Sequence, residues 1–193
     1  MKKILSVAVA AIIVATSASA QNVNIGIKGG VNIANINNDD GTNYNTRTGF
    51  NVGLLGHIHL APQLALQPEI VYSAQGVKYT TAGLETKLKL DYINVPVLLQ
   101  YMFDNGFRLQ AGPQVGFLIN AKNEINSNSI NVKDSYKKVD FGISGGIGYV
   151  NTPTGLGVDA RYNLGLSKIN EAGSNKLTNR VFQIGLFYLF NHK

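Results

Sequence analysis

The strongest constraint on this chain is an alternation of apolar and polar side chains with a period of two. It recurs in eight segments after residue 20, with no helical 3.6-residue pattern between them. In the first, Ile25, Ile27, Val31 and Ile33 oppose Asn24, Lys28 and Asn32. In the second, Phe50, Val52, Leu54, Ile58 and Leu60 oppose Asn51, Gly53, His57 and His59. The third sets Leu66, Pro68, Ile70 and Tyr72 against Gln67, Glu69, Ser73 and Gln75. The fifth to eighth run through Phe107–Ile119, Val139–Tyr149, Val158–Leu166 and Phe182–Phe190 in the same way. The fourth changes phase. Leu88, Leu90 and Tyr92 share one parity, and Ile93, Val95, Val97, Leu99 and Tyr101 the other. A β-bulge near Tyr92 is expected to restore the register.

A soluble sandwich also alternates, because one face of each sheet is buried. Two features point elsewhere. The connections alternate in length: residues 61–64, 104–106 and 151–155 are short, while 37–47, 76–87, 121–138 and 167–178 are long and polar. Short periplasmic turns against long external loops mark an outer-membrane barrel. The polar parity is also rich in amides and glycine rather than charge. Charged residues are only 15% of the chain, against about 25% in ordinary soluble domains. Aromatic residues collect at both ends of the apolar parity. Tyr101, Phe103, Phe107, Tyr149, Tyr188 and Phe190 lie near the short turns. Phe50, Tyr72, Phe117, Phe141 and Phe182 lie towards the long loops, as two interfacial belts require. The expected fold is all-β: an eight-stranded antiparallel up-and-down transmembrane β-barrel.

Residues 1–20, MKKILSVAVAAIIVATSASA, read as a cleaved signal peptide. Lys2 and Lys3 form its basic start, Ile4–Ala15 its apolar stretch and Ala18-Ser19-Ala20 its cleavage site. The apolar stretch is too short for a spanning helix, which needs about 20 residues. Residues 21–193 then form the barrel domain. Cysteine is absent, which excludes disulfides, thiolate metal sites and a cysteine nucleophile. Removal of Lys2 and Lys3 leaves a mild positive balance with no basic stripe, so no nucleic-acid partner is expected.

The inward parity carries Lys28, Arg108 and Arg161 against Glu69, Asp140 and Asp159, a near-neutral lumenal polar network. In a low-dielectric interior such charges need partners. Lys28, Glu69, Asp159 and Arg161 share a mid-barrel height by their distance from the short turns and are expected to pair. The network is either a selectivity constriction or a plug, and the narrow lumen of eight strands favours the plug. His57 and His59 have the i, i+2 spacing of metal ligands but no acidic residue nearby, so they read as lumenal filling. Gly155–Ala160 fits G-x-G-x-x-A but opens a strand, not a helix, and binds no phosphate. No cofactor and no enzymatic activity are expected. Loop 121–138 carries Lys122, Lys133, Lys137 and Lys138 against Glu124 and Asp134, a solvated loop or a contact to lipopolysaccharide phosphates. Arg180 can snorkel to headgroups at the external end of the last strand.

The chain resembles the outer-membrane β-barrel domain family of small porin-like proteins, the PorT-like group of Gram-negative bacteria. The resemblance rests on GIKGGVNIANI (26–36), GFNVGLLGHIHL (49–60), LALQPEIVYSAQGVK (64–78), KLDYINVPVLLQYMF (89–103), FRLQAGPQVGFLINAK (107–122), DFGISGGIGY (140–149), GLGVDARYNLGLSKI (155–169) and NRVFQIGLFYLF (179–190). It implies insertion into the cell outer membrane by the barrel-assembly machinery. Phe182, Ile184, Leu186, Tyr188 and Phe190 look like the aromatic-ended insertion signal, although Asn191-His192-Lys193 follow the final Phe. The family supplies no catalytic residues. The expected protein is a monomer among outer-membrane lipids, with a plugged lumen and a structural or interaction role through its external loops towards an external or periplasmic partner. The alternative is a narrow passive pore for ions or very small solutes.

Overall fold

The computed structural model describes residues 23–41, 44–81, 83–125 and 128–190. The proposed signal peptide and Asn191–Lys193 lie outside the described residues. Strands β1 (Val23–Asn38), β2 (Asn45–Ala61), β3 (Leu64–Thr81), β4 (Leu84–Met102) and β5 (Phe107–Ile125) follow one another as antiparallel neighbours. A short β6 (Asn128–Asn131) folds back on the end of β5. Then β7 (Val139–Asn151) pairs with β5, β8 (Leu156–Gly165) with β7 and β9 (Leu177–Leu189) with β8. β9 also pairs with β1, so eight strands close into a ring and β6 stays outside it. Closure leaves no free edge at membrane depth, the condition for spanning a bilayer with strands.

Side chains divide by parity. Ile25, Ile27, Val31, Val52, Leu54, Ile143, Ile147, Ile184 and Leu186 point outward and are exposed. Lys28, Asn32, Asn51, Gln67, Glu69, Gln100 and Gln183 point inward and are buried. An outer surface this apolar fits lipid, not water. Aromatic rings bound it at both ends. Tyr101–Phe103 and Tyr188–Phe190 lie 5.0 and 5.2 Å apart at the short-turn end, and Phe50–Tyr72 lie 5.3 Å apart at the other.

Two expectations need correction. Residues 76–87 are not a loop. β3 and β4 run through them as one hairpin paired from Lys78–Lys87 to Thr81–Leu84. Gly83, with φ +79°, supplies the left-handed residue that so tight a turn needs. Polar composition suggested a loop, but Val77, Tyr79, Thr80 and Thr86 are good strand formers. β3, β4 and β5, at 18, 19 and 19 residues, far exceed the about 9–11 that cross a membrane.

The second correction is the change of face in β4; a bulge near Tyr92 is present, but on the partner strand. β4 never changes face: Leu88, Leu90, Tyr92, Asn94, Leu98 and Gln100 are all buried on one inward parity. The irregularity lies opposite, on β5. Asp91 pairs with Asn120 but Tyr92 with Leu118, which leaves Ile119 unpaired. Leu88, Leu90 and Tyr92 face inward because an apolar cluster fills the outer end of the ring. It joins them to Ile36, Val77, Leu118, Ala121 and Ile169.

Candidate functional site

From the short-turn end outward, the lumen is a stack of side-chain layers. The innermost is apolar, formed by Leu55, Val150, Phe187 and Leu189. The Arg108 guanidinium lies 5.4 Å over the Phe187 ring, a cation–π geometry. Above it runs a glutamine relay. Gln100 Nε2 donates to Gln67 Oε1 and to Gln110 Oε1, both at 2.9 Å, and Arg108 donates to Gln100 Oε1 at 3.4 Å. Gln67 Nε2 passes on to Glu69 Oε1 at 2.7 Å.

Glu69 belongs to the next layer, an ion quartet. Arg161 grips Glu69 with two parallel bonds of 2.8 and 3.0 Å, and reaches Asp159 at 2.6 Å. Lys28 Nζ lies 3.0 Å from Asp159 and 3.4 Å from Glu69. The four come from β1, β3 and β8, so the pairs tie together strands that are not neighbours. The strands between make room. Lys28 pairs in register with Gly53 on β2, and Asp159 with Gly185 on β9. A Cβ at Gly53 would fall 2.3 Å from the Ile70 carbonyl oxygen, and one at Gly185 2.8 Å from that of Gly29. Larger residues there would push the strands apart.

The following layer is neutral. Asn32 is its hub, accepting from Asn51 at 2.7 Å and Gln183 at 2.9 Å while donating to Ser73 and to the Ala74 carbonyl, both at 2.9 Å. Higher still, Asp140 accepts from Ser167 Oγ at 2.6 Å and Asn179 Nδ2 at 2.8 Å. The outer apolar cluster lies beyond. The β8–β9 connection reaches over it, with Ile169 fully buried and Tyr136 bridged to Asn170. Burial there pushes the Tyr136 phenol up to about 12.

Of the six charged residues singled out from the sequence, the structure brings Lys28, Glu69, Asp159 and Arg161 within ion-pair distance. Arg108 and Asp140 are lumenal and lie outside the quartet, and Arg108 connects to it only through Gln100 and Gln67. Arg108 sits nearer the short turns and Asp140 nearer the outer mouth. Parity assigns a face, but height in a tilted barrel depends on the stagger between strands. Phe182, Ile184, Leu186, Tyr188 and Phe190 all lie on the outward face of the closing strand. His57 and His59 stack edge to face at 4.6 Å. Among the described residues no group of three or more His, Asp or Glu side chains is placed to hold a metal ion. The sequence reading missed both apolar layers and the Asn32 hub. Leu55, Phe187 and Leu189 on the inward parity, next to turns, were the available signal.

Residues 19–171 match the family described as outer membrane protein beta-barrel domain. The chain belongs to this family. Its place is therefore the cell outer membrane, with the apolar band in lipid. Among solved structures it is similar to Ail, the attachment invasion locus protein of Yersinia pestis. Identity is 16%, over 88% of this chain and 100% of that one, with a TM-score of 0.56. It is also similar to Neisserial surface protein A, with 15% identity over 86% of this chain and 97% of that one, and a TM-score of 0.54. Both are eight-stranded barrels, and at these identities they speak for the fold alone. No curated protein sequence matches the chain.

Proposed function

We propose that this protein is a non-conducting, non-enzymatic outer-membrane barrel whose plugged lumen holds a rigid platform for its external hairpins. The supporting observation is the ion quartet. Lys28, Glu69, Asp159 and Arg161 extend from three separated strands and meet across the lumen, all at 6% exposure or less. Eight strands leave room for side chains and little else. The layers of glutamine, asparagine and apolar residues on either side add to the obstruction. What remains accessible is the outer end, where β3, β4 and β5 outrun the bilayer.

Residues 1–20 serve as the export signal and 21–193 as the barrel. The outward aromatic face ending at Phe190 is the strand read by the barrel-assembly machinery, and the barrel works as a monomer. An N-terminus of Gln21 on protein purified from outer membranes tests the first point. Planar-bilayer conductance tests the main one, with native protein and a Glu69→Ala, Arg161→Ala double variant, both folded by heat-modifiable mobility. Silence from the native barrel is expected. Discrete steps in the native protein that change in the variant would replace the plug with a pore.

A further inference from the structure

Just above the outer aromatic belt, lysines face each other directly across neighbouring strands. Lys78 of β3 pairs in register with Lys87 of β4, and Lys89 of β4 with Lys122 of β5. Like charges directly opposite on one sheet face are destabilising. Two carboxylates answer part of this. Glu124 pairs with Lys89, and Glu85 lies 3.2 Å from Lys87. Asp91, one row lower, accepts from Asn120 at 2.8 Å. Arg47 donates to the Gln75 carbonyl at the flank. Five cations thus share this face with three carboxylates, and neither Lys78 nor Lys122 has an ion pair within 4 Å among the described residues.

The face is outward, not lumenal. Lys87 and Lys89 continue the parity of Ile93, Val95 and Val97 on β4, whose other parity is buried. Lys89 is four residues above Ile93. At about 3.3 Å per residue and a tilt of about 40°, that is roughly 10 Å above the apolar band. The headgroups of the outer leaflet lie at this height. A face with five cations against three carboxylates, placed where headgroup phosphates are fixed, is a phosphate cradle. We infer that Lys78, Lys87, Lys89 and Lys122 bind the phosphorylated sugar headgroup of an outer-leaflet glycolipid, one molecule seated against the β3–β5 wall. Of the basic loop at 121–138 only Lys122 takes part. Lys133 instead donates to the Ile119 carbonyl. The inference rests on the outward orientation and not on whether the lumen conducts.

The test places the full-length protein in phosphatidylcholine nanodiscs doped with bisphosphorylated lipid A, dephosphorylated lipid A or phosphatidylglycerol. Retained lipid and thermal stability are measured. The native protein should retain the bisphosphorylated form and be stabilised by it. A K78Q/K87Q/K89Q/K122Q variant should retain at least about tenfold less, while K133Q/K137Q/K138Q stays within about twofold of native. In pure phosphatidylcholine a K78Q/K122Q variant should melt no lower than native, because it relieves both lysine–lysine contacts and leaves both ion pairs intact. K78Q/K87Q and K89Q/K122Q separately serve if the fourfold variant does not fold. Equal retention by the variant, or of the dephosphorylated form, overturns the cradle. Equal retention of phosphatidylglycerol overturns the glycolipid as its occupant.

Discussion

In the inner half of the lumen, Lys28, Glu69, Asp159 and Arg161 make four ion-pair contacts between residues as far apart as Lys28 and Asp159. The outer half holds no ion pair among its described lumenal residues. There Asn32 gathers neighbours by amide bonds, and an apolar cluster closes the end. The two halves meet the same problem, how to fill a narrow ring with side chains, by different physics. Both halves link strands that are not neighbours, but charges act over distance and each depends on the others. Amides and methyl groups act locally, and each can be lost with a local penalty.

The largest expected difference is at Glu69. Glu69→Ala leaves Arg161 and Lys28 sharing Asp159 alone in a buried site. Removal of one partner from such a cluster costs about 3–5 kcal/mol. Urea unfolding in vesicles, followed by heat-modifiable mobility, should show that loss. Glu69→Met with Arg161→Met should cost less than the two single changes summed, because no charge is then stranded. Additive losses would mean that water already solvates the quartet. Next comes Leu90→Ala in the outer cluster, at about 2–5 kcal/mol by the usual cost of a buried leucine. Its effect should be confined to the cap. Hydrogen exchange should rise at 128–138 and 166–177 while the ring stays protected. Global unfolding at lower urea would show that the two halves are one cooperative unit. Asn32→Ala should be milder, about 1–3 kcal/mol, since Asn51 and Gln183 lose an acceptor but no charge is exposed. A loss equal to that of Glu69→Ala would erase the contrast.

The ring and the inward face of Lys28, Glu69 and Arg161 were legible because a period of two sorts side chains without knowledge of neighbours. Two features were not. Leu88, Leu90 and Tyr92 alternate like a lipid-facing strand, and alternation cannot say which apolar parity meets lipid once a strand leaves the membrane. The 76–87 hairpin is polar, so it passed for a loop, although its Val, Thr and Tyr content favours pairing.

The smallest contrast concerns pH. Tyr136 lies in the outer cap, outside the membrane. Burial, then the nearby Tyr79 and Tyr44, raises its phenol from 10.0 to about 12. A group whose folded value is raised lends its full stability below its unfolded value. That stability is lost as pH climbs from 10.0 towards about 12, because the unfolded segment gives up its proton first. Limited proteolysis between pH 9 and 12 should therefore open the 128–138 and 166–177 segments while the ring keeps its folded mobility. Tyr136→Phe removes the titrating hydroxyl and should flatten the response. An unchanged pH profile in that variant would assign the cap's alkaline sensitivity to another group. Simultaneous loss of cap and ring would show that the two halves open as one cooperative unit.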